Sequence, residues 1–213
     1  MSIVAILQQK GGVGRTTLST NIAWAIQSLG HSVSVVDQDP QASTRYWNKK
    51  KNLINVQDEG FDDDKTFFDN IEELKTKSDK FIIIDGSPRI EKLLSMAVRV
   101  ADFVLIPVQP SGLDYWATKD LIDIVNARQS KNNANPKCSF VVSRAMTNTK
   151  LSEEIGEDLL KYGHPVFKSF TTNLGAYPSS ISVGETVFQN KKFWVARNQI
   201  EKITNELLEI CLC

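Results

Sequence analysis

Cysteine is scarce in this chain: Cys138, Cys211 and Cys213 are the only ones among 213 residues. That excludes a disulfide framework. Cys211-Leu212-Cys213 lacks the CxxC spacing and a second ligand pair, which argues against a zinc site. The two histidines, His31 and His164, sit beside glycines at expected turns and have no metal partner in view. An excess of charge of either sign is also missing, because 25 Lys and Arg balance 25 Asp and Glu. A wholly basic, histone-like binder of nucleic acid is thereby excluded, and only a local basic patch remains open. Long apolar runs are absent too. The longest, such as Phe81-Ile82-Ile83-Ile84, are strand-sized, far below the ~20 residues a bilayer span needs. The first residues, Met1 to Leu7, carry no basic n-region or cleavage site, so no signal peptide is expected and the cytoplasm is the expected location. No internal repeat or low-complexity linker breaks the chain.

What is present is an alternation of short apolar strands with helical patterns. The apolar fraction of 41% and charged fraction of 23% are those of a globular protein. Strands are expected over residues 3–7, 33–36, 81–84, 103–106 and 139–142. The first helix carries Leu18, Ile22, Ala25, Ile26 and Leu29 on one face and stops at Gly30. Further helices are expected over 41–51, 66–77, 91–100, 115–128, 152–162 and 193–212, with residues 58–64 an acidic loop. In the last helix Ile200, Ile203, Leu207 and Ile210 fall in phase, while Glu201, Glu206 and Glu209 dilute any basic face. That stripe therefore reads as core packing rather than a membrane anchor. Trp24, Trp47, Trp116 and Trp194 are expected to be packing residues. Strands apolar on both faces and separated by helices imply an α/β, doubly wound, mainly parallel sheet with helices on both faces, here as one domain over residues 1–213. Chemistry in such folds gathers at the carboxyl ends of the strands.

After the first strand comes Gln8-Gln9-Lys10-Gly11-Gly12-Val13-Gly14-Arg15-Thr16-Thr17. Glycines let backbone N–H groups curl around phosphate oxygens, and the following helix adds its positive end. Thr16 stands where a phosphate-loop hydroxyl ligates Mg²⁺. The match to GxxxxGK[ST] is imperfect. Gln9 replaces the first glycine, Arg15 replaces the usual lysine, and Lys10 is an additional basic residue.

The pattern KGGxGxTT resembles the deviant Walker A motif of the ParA/MinD ATPases. Three later stretches resemble that family as well: Asp37-Gln38-Asp39-Pro40-Gln41, Asp85-Gly86-Ser87-Pro88 and the segment from Ile106 to Asp114. Residues 171–188 resemble its late nucleotide-side segment. The short, ParF-like plasmid ParA type is the nearest pattern, with no N-terminal DNA-reading domain expected before Ile3. The resemblance implies a P-loop ATPase using ATP and Mg²⁺, with nucleotide held by Lys10, Gly11, Gly12, Val13, Gly14, Arg15, Thr16, Thr17 and Pro107. It implies Mg²⁺ held by Thr16 and, partly through water, by Asp85, with Asp37 supporting the network. Asp39 would orient the attacking water, and Lys10 would reach across an ATP homodimer to the partner's phosphates. A nonspecific DNA surface, a centromere-binding, ParB-like adaptor, nucleoid association and no membrane role complete the expectation. Arginine is longer and planar where lysine is a compact point charge. Arg15 therefore leaves open a nucleotide-dependent switch with little turnover. A MinD-like positioning ATPase is a further alternative, and no substrate-site motif supports a small-molecule synthetase on the same scaffold.

Two basic clusters stand out. Arg45, Lys49, Lys50 and Lys51 fall together without an acid, and Lys191, Lys192 and Arg197 lie at the entry to the last helix. Either could make sequence-independent phosphate contacts; the resemblance to ParA proteins, whose late basic residues usually bind DNA, implies that the later cluster is the DNA contact.

Overall fold

The computed structural model describes residues 1–57, 64–77, 80–88, 90–146 and 150–212. The first half runs β1 (Ser2–Ile6), α1 (Arg15–Ser28), β2 (Val33–Asp37), α2 (Ser43–Lys49), β3 (Asn55–Gln57), α3 (Asp64–Thr76) and β4 (Phe81–Asp85). The second runs α4 (Glu91–Val100), β5 (Phe103–Val108), α5 (Gly112–Gln129), β6 (Lys137–Val142), α6 (Lys150–Leu160), α7 (Ala176–Ser182), a 3₁₀ turn (Lys191–Phe193) and α8 (Trp194–Leu212). The sheet order is β3-β2-β4-β1-β5-β6, and every pairing is parallel.

Alternation along the strands sorts the core into two layers. Ile3, Ala5 and Leu7 face one side with Phe67, Ile71, Leu94, Leu121 and Phe140, under α3 to α6. Val4 and Ile6 face the other with Ile22, Ile26, Trp47 and Ile200, under α1, α2, α7 and α8. The expected doubly wound architecture is therefore present. α8 buries Ile200, Ile203 and Leu207 completely, so its apolar stripe packs in the core as expected. Among the described residues no helix is long and apolar enough to cross a membrane. No group of three or more His, Cys, Asp or Glu among them is placed to hold a metal ion by itself.

Local chemistry sets the element ends. Gly30 takes φ 86°, and the bonds Gly30 N–H to Gln27 O and His31 N–H to Ile26 O close α1 in a Schellman motif. The helix expected over 41–51 is shorter, because Ala42 adopts a left-handed φ of 54° just before it. At its other end Asn48 Nδ2 donates to Ile54 O at 2.9 Å and turns the chain into β3. Two elements went unexpected: the short edge strand β3 and α7. Trp47 is buried and Trp24 packs against the same layer, but Trp194 is 69% exposed, against its expected packing role. The acidic loop expected at 58–64 lies outside the described residues as far as 63, as does Cys213.

Candidate functional site

β1 and α1 meet at the phosphate-loop sequence, at the point where strand order reverses around β1. Gly12 and Gly14 take φ of 81° and 93°, a region where side chains are strained, so the loop needs glycine there. Gly14 is the N-cap of α1; no side chain caps this end and no acid sits in its first turn. The backbone amides at the positive helix end are thus left without a side-chain cap.

The loop is tied down from three sides. Gly12 O accepts from Gln109 Nε2 at 2.9 Å and from Arg144 Nη1 at 2.7 Å. Val13 O accepts from Ser143 Oγ at 2.6 Å. Gln8, fully buried, donates to Thr118 Oγ1 at 3.0 Å and to Pro107 O at 3.3 Å. The Arg15 guanidinium turns inward: Nη1 donates to Gln8 O and, at 2.9 Å, to Lys10 O. Burial lowers the Arg15 pKa, and the negative charges of Asp85 and Asp39 pull it back up.

Beneath the loop lies a buried carboxylate. Asp85, at the end of β4, accepts from Thr44 Oγ1 at 2.6 Å, Thr16 Oγ1 at 2.8 Å and Ser19 Oγ at 3.0 Å. Thr16 and Ser19 reach it together because they are one turn apart on α1. Burial raises the Asp85 pKa; the hydroxyls of Thr44 and Thr16, the charge of Arg15 and the Ser19 hydroxyl oppose it. A side chain at the next residue, Gly86, would have to displace the buried Leu7. A Cβ at Gly86 would lie 2.3 Å from Leu7 Cδ2 and 3.1 Å from Ile6 O.

Asp37 pairs with Asp85 across the β2–β4 register. Its Oδ1 accepts from Asp39 N at 3.1 Å and its Oδ2 from Arg45 N at 2.9 Å, with Arg45 Nε at 3.7 Å. In this geometry both oxygens shape the turn that carries Asp39. Burial and the neighbouring Asp85 push the Asp37 carboxyl up to about 6. Asp39 in turn accepts from Gln41 N at 2.9 Å.

These elements enclose a cleft of about 500 Å³. Gly11, Gly12, Gly14, Arg15, Thr16 and Thr17 form its floor, and Asp39, Gln41, Ser43 and Pro88 one wall. The other wall is late in sequence: Arg144, residues 171–174, Tyr177, Pro178 and Ile181. Lys10, Val13, Pro107, Asp37 and Asp85 lie outside the lining. Lys10 is half-buried and offers its carbonyl to Arg15, Val13 is buried under Ser143, and Pro107 sits within β5. Gln199 of α8 braces the late wall: its Nε2 donates to Thr172 Oγ1 at 2.8 Å, and its Oε1 accepts from Tyr177 Oη at 2.8 Å and Thr172 N at 3.1 Å.

A nucleotide triphosphate fits this donor set. The uncapped helix end and left-handed glycines suit phosphate, and the part-apolar late wall suits a base. Mg²⁺ fits as well. It commonly takes one or two protein oxygens plus phosphates and water, and Thr16 backed by Asp85 offers such hard oxygen. The structure brings the expected loop, Asp39 and Asp85 together, and adds Ser19, Thr44, Arg144 and Gln199, which the sequence reading did not single out. Only Ser19 had a signal, its one-turn spacing from Thr16.

The basic clusters differ in availability. Arg45 faces Asp37, Lys51 pairs with Glu185, and Lys50 Nζ donates to Ser182 O at 2.5 Å. In the later cluster Arg197 pairs with Glu201 at 2.8 Å and lies over Phe188. Lys191 and Lys192 remain exposed.

The family model of the CobQ/CobB/MinD/ParA nucleotide binding domain matches residues 4–180. The chain is 28% identical over 210 residues to "Maintenance of carboxysome distribution protein A" of Halothiobacillus neapolitanus, covering 96% of this chain and 95% of that protein. Its fold matches the MinC:MinD cell division protein complex of Aquifex aeolicus with TM-score 0.79 at 20% identity, over 98% of this chain and 96% of that one. It also matches cobyrinic acid a,c-diamide synthase of Mycobacterium smegmatis bound to an ATP analog and magnesium, with TM-score 0.69 at 17% identity, over 85% of this chain and 93% of that one.

Proposed function

The chain belongs to the CobQ/CobB/MinD/ParA nucleotide-binding family, and on that premise we propose that it is a ParA-type ATPase that partitions DNA or positions a cargo. In this reading residues 1–213 act as one ATPase domain in the cytoplasm, on the nucleoid. ATP with Mg²⁺ draws two copies into a homodimer, the dimer holds DNA without sequence preference, and a centromere-binding, ParB-like adaptor stimulates hydrolysis. The observation that carries the reading is the Thr16–Asp85 pair beneath an uncapped, glycine-built helix end, with Asp39 on the facing wall.

The residues divide the work. The amides of residues 11–17 and Arg15 bind the phosphates. Thr16, held by Asp85, offers its hydroxyl to Mg²⁺, which supplies charge neutralisation when bound. Asp39 orients a water, with its carboxylate steadied by the Gln41 amide. Lys10 serves the partner's phosphates. Lys191 and Lys192 meet the DNA backbone, and Arg197, paired with Glu201, contributes less. The likeness to a carboxysome distribution protein supports a protein cargo as well as a plasmid or chromosome.

One observation favours a second reading, a switch that binds ATP and turns over little. Arg15 uses its guanidinium on the carbonyls of Gln8 and Lys10. Steady-state phosphate release, with and without duplex DNA, together with sedimentation in ATP, tests both. An ATP-dependent dimer with DNA-stimulated release supports the ATPase. A dimer without release selects the switch, and no ATP-dependent change of mass overturns both. Replacing Lys191 and Lys192 by Glu should weaken DNA binding for all sequences alike and flatten its salt slope.

A further inference from the structure

Away from the nucleotide cleft, a groove of about 470 Å³ opens between residues 168–170 and the first turns of α8. Its walls combine apolar and cationic side chains. Trp194 is 69% exposed, Phe170 47% and Val195 39%, an apolar cluster that a protein surface rarely leaves bare without a use. Lys168 and Lys202 form its rim, and Lys191 and Lys192 lie three and two residues before Trp194. Among the described residues none of these four lysines forms an ion pair. The nearby acids have other work: Glu201 holds Arg197, and Glu206 accepts from the amides of Ser169 at 2.7 Å and Lys168 at 2.9 Å. An occupant of this groove needs an aromatic anchor flanked by carboxylates.

The chain carries such a segment, Asp58-Glu59-Gly60-Phe61-Asp62-Asp63-Asp64. It cannot serve its own groove. It follows β3, at one edge of the sheet, whereas the groove lies beyond β6, which residues 166–167 adjoin at the other edge. With strands ~4.8 Å apart, those edges are separated by roughly 24 Å. Residues 58–63 must leave Gln57 and return to Asp64, which limits their outward reach to about 12 Å.

We propose that this groove docks the Phe61-centred acidic segment of a second copy of this chain. Phe61 enters between Phe170 and Trp194, and the flanking carboxylates face Lys168, Lys202, Lys191 and Lys192. The groove and the segment are different parts of the chain, so the contact is between unlike surfaces. It needs no nucleotide and no Lys10, which separates it from the ATP homodimer.

The probe is a labelled peptide of residues 57–65, titrated with the full chain in the absence of nucleotide and followed by fluorescence anisotropy. Saturable, salt-sensitive binding is expected. Phe61→Ala in the peptide, or Trp194→Ala in the chain, should weaken it about tenfold or more, as loss of a central aromatic anchor does. Lys168→Glu with Lys202→Glu should abolish binding of the native peptide, and Asp62→Lys with Asp63→Lys in the peptide should restore it. That rescue shows that the altered chain is folded. In sedimentation without ATP, the average mass of the unaltered chain and of Lys10→Ala should rise with concentration, and that of Trp194→Ala should not. No saturable binding by about 1 mM peptide overturns the proposal. So does binding indifferent to Trp194 and the lysines. If Lys168→Glu with Lys202→Glu weakens duplex DNA binding while peptide affinity and mass stay unchanged, the groove is a nucleic-acid surface and the proposal fails.

Discussion

Thr16 and Asp85, 69 residues apart in sequence, meet at 2.8 Å, the Thr16 hydroxyl donating to the carboxylate that ends β4. This bond aims a hard oxygen at the cleft and keeps a negative charge directly behind it. Asp85→Asn keeps the shape and one acceptor oxygen while removing the cost of a buried charge. It also removes the charge that offsets the buried Arg15 guanidinium, so the variant should melt somewhat lower than the unaltered protein, and ADP affinity should lose its gain on adding Mg²⁺. Calorimetric titration in Mg²⁺ and in EDTA measures this. A normal Mg²⁺ gain in Asp85→Asn would remove Asp85 from the metal network. Asp85→Ala is a different experiment, because it strands the buried hydroxyls of Ser19 and Thr44. Each stranded group costs about 1–3 kcal/mol, so urea should unfold that variant markedly earlier.

Lys10 and Arg15 should separate cleanly. Lys10 lies outside the cleft lining and gives its carbonyl to Arg15, so Lys10→Ala leaves the loop's internal bond in place. The variant should fold and bind nucleotide, but adding ATP should cause no increase in its sedimenting mass. In Arg15→Lys a shorter, single cation replaces the fork that holds the loop carbonyls. Phosphate release should rise by roughly tenfold or more as the cation becomes free to follow the phosphates. Unchanged turnover in Arg15→Lys would show that the arginine already serves them.

Asp39 carries the sharpest kinetic expectation. A carboxylate that orients water acts mainly in the transition state. Asp39→Ala should keep nucleotide affinity and the ATP dimer while kcat falls by about 10²- to 10⁴-fold. If affinity collapses and turnover per bound site survives, Asp39 is structural.

Asp37 sets a pH dependence of stability. Its carboxyl lies near 6 when folded, against 3.8 as the reference value. Between these limits the folded protein holds a proton that the unfolded chain has released. Stability therefore declines as pH rises from about 4 and levels off above about 6, by on the order of 3 kcal/mol. Asp37→Asn does not titrate and keeps one acceptor oxygen, enough for the amide of Asp39 or of Arg45 but not both. Thermal melts from pH 4.5 to 7.5 should show a flatter curve for the variant. Parallel curves would place the titration elsewhere.

The sheet was legible because Phe81 to Ile84 is apolar on both faces and Val33 to Val36 nearly so, with only Ser34 polar, a pattern that a doubly covered parallel strand needs. The floor of the cleft was legible because glycine at positions 12 and 14 serves backbone geometry that no other residue adopts freely. β3 was not legible: Asn55-Val56-Gln57 has no apolar run and exists by pairing with Ser34 to Val36. α7 was hidden by Pro178 and its serines, which favour turns. Arg144 and Gln199 were beyond reach for a different reason. Each acts on a loop distant in sequence, and a polar side chain carries no mark of the partner the fold will give it. Arg197 was the reverse case: Glu201 four residues on offered an ion pair that the reading of Arg197 as a DNA contact passed over.

Gln199 gives one side chain two surfaces to serve. It borders the groove on α8 and, through Thr172 and Tyr177, braces the late wall of the nucleotide cleft. Ordering either surface lowers the entropy still to be lost in ordering the other, so the two ligands should help each other bind, by equal factors in both directions. Amide exchange in the first turns of α8 should slow when nucleotide is added. In Gln199→Leu, which keeps the bulk and loses the bonds, that slowing should vanish while exchange in β1 and β4 still responds.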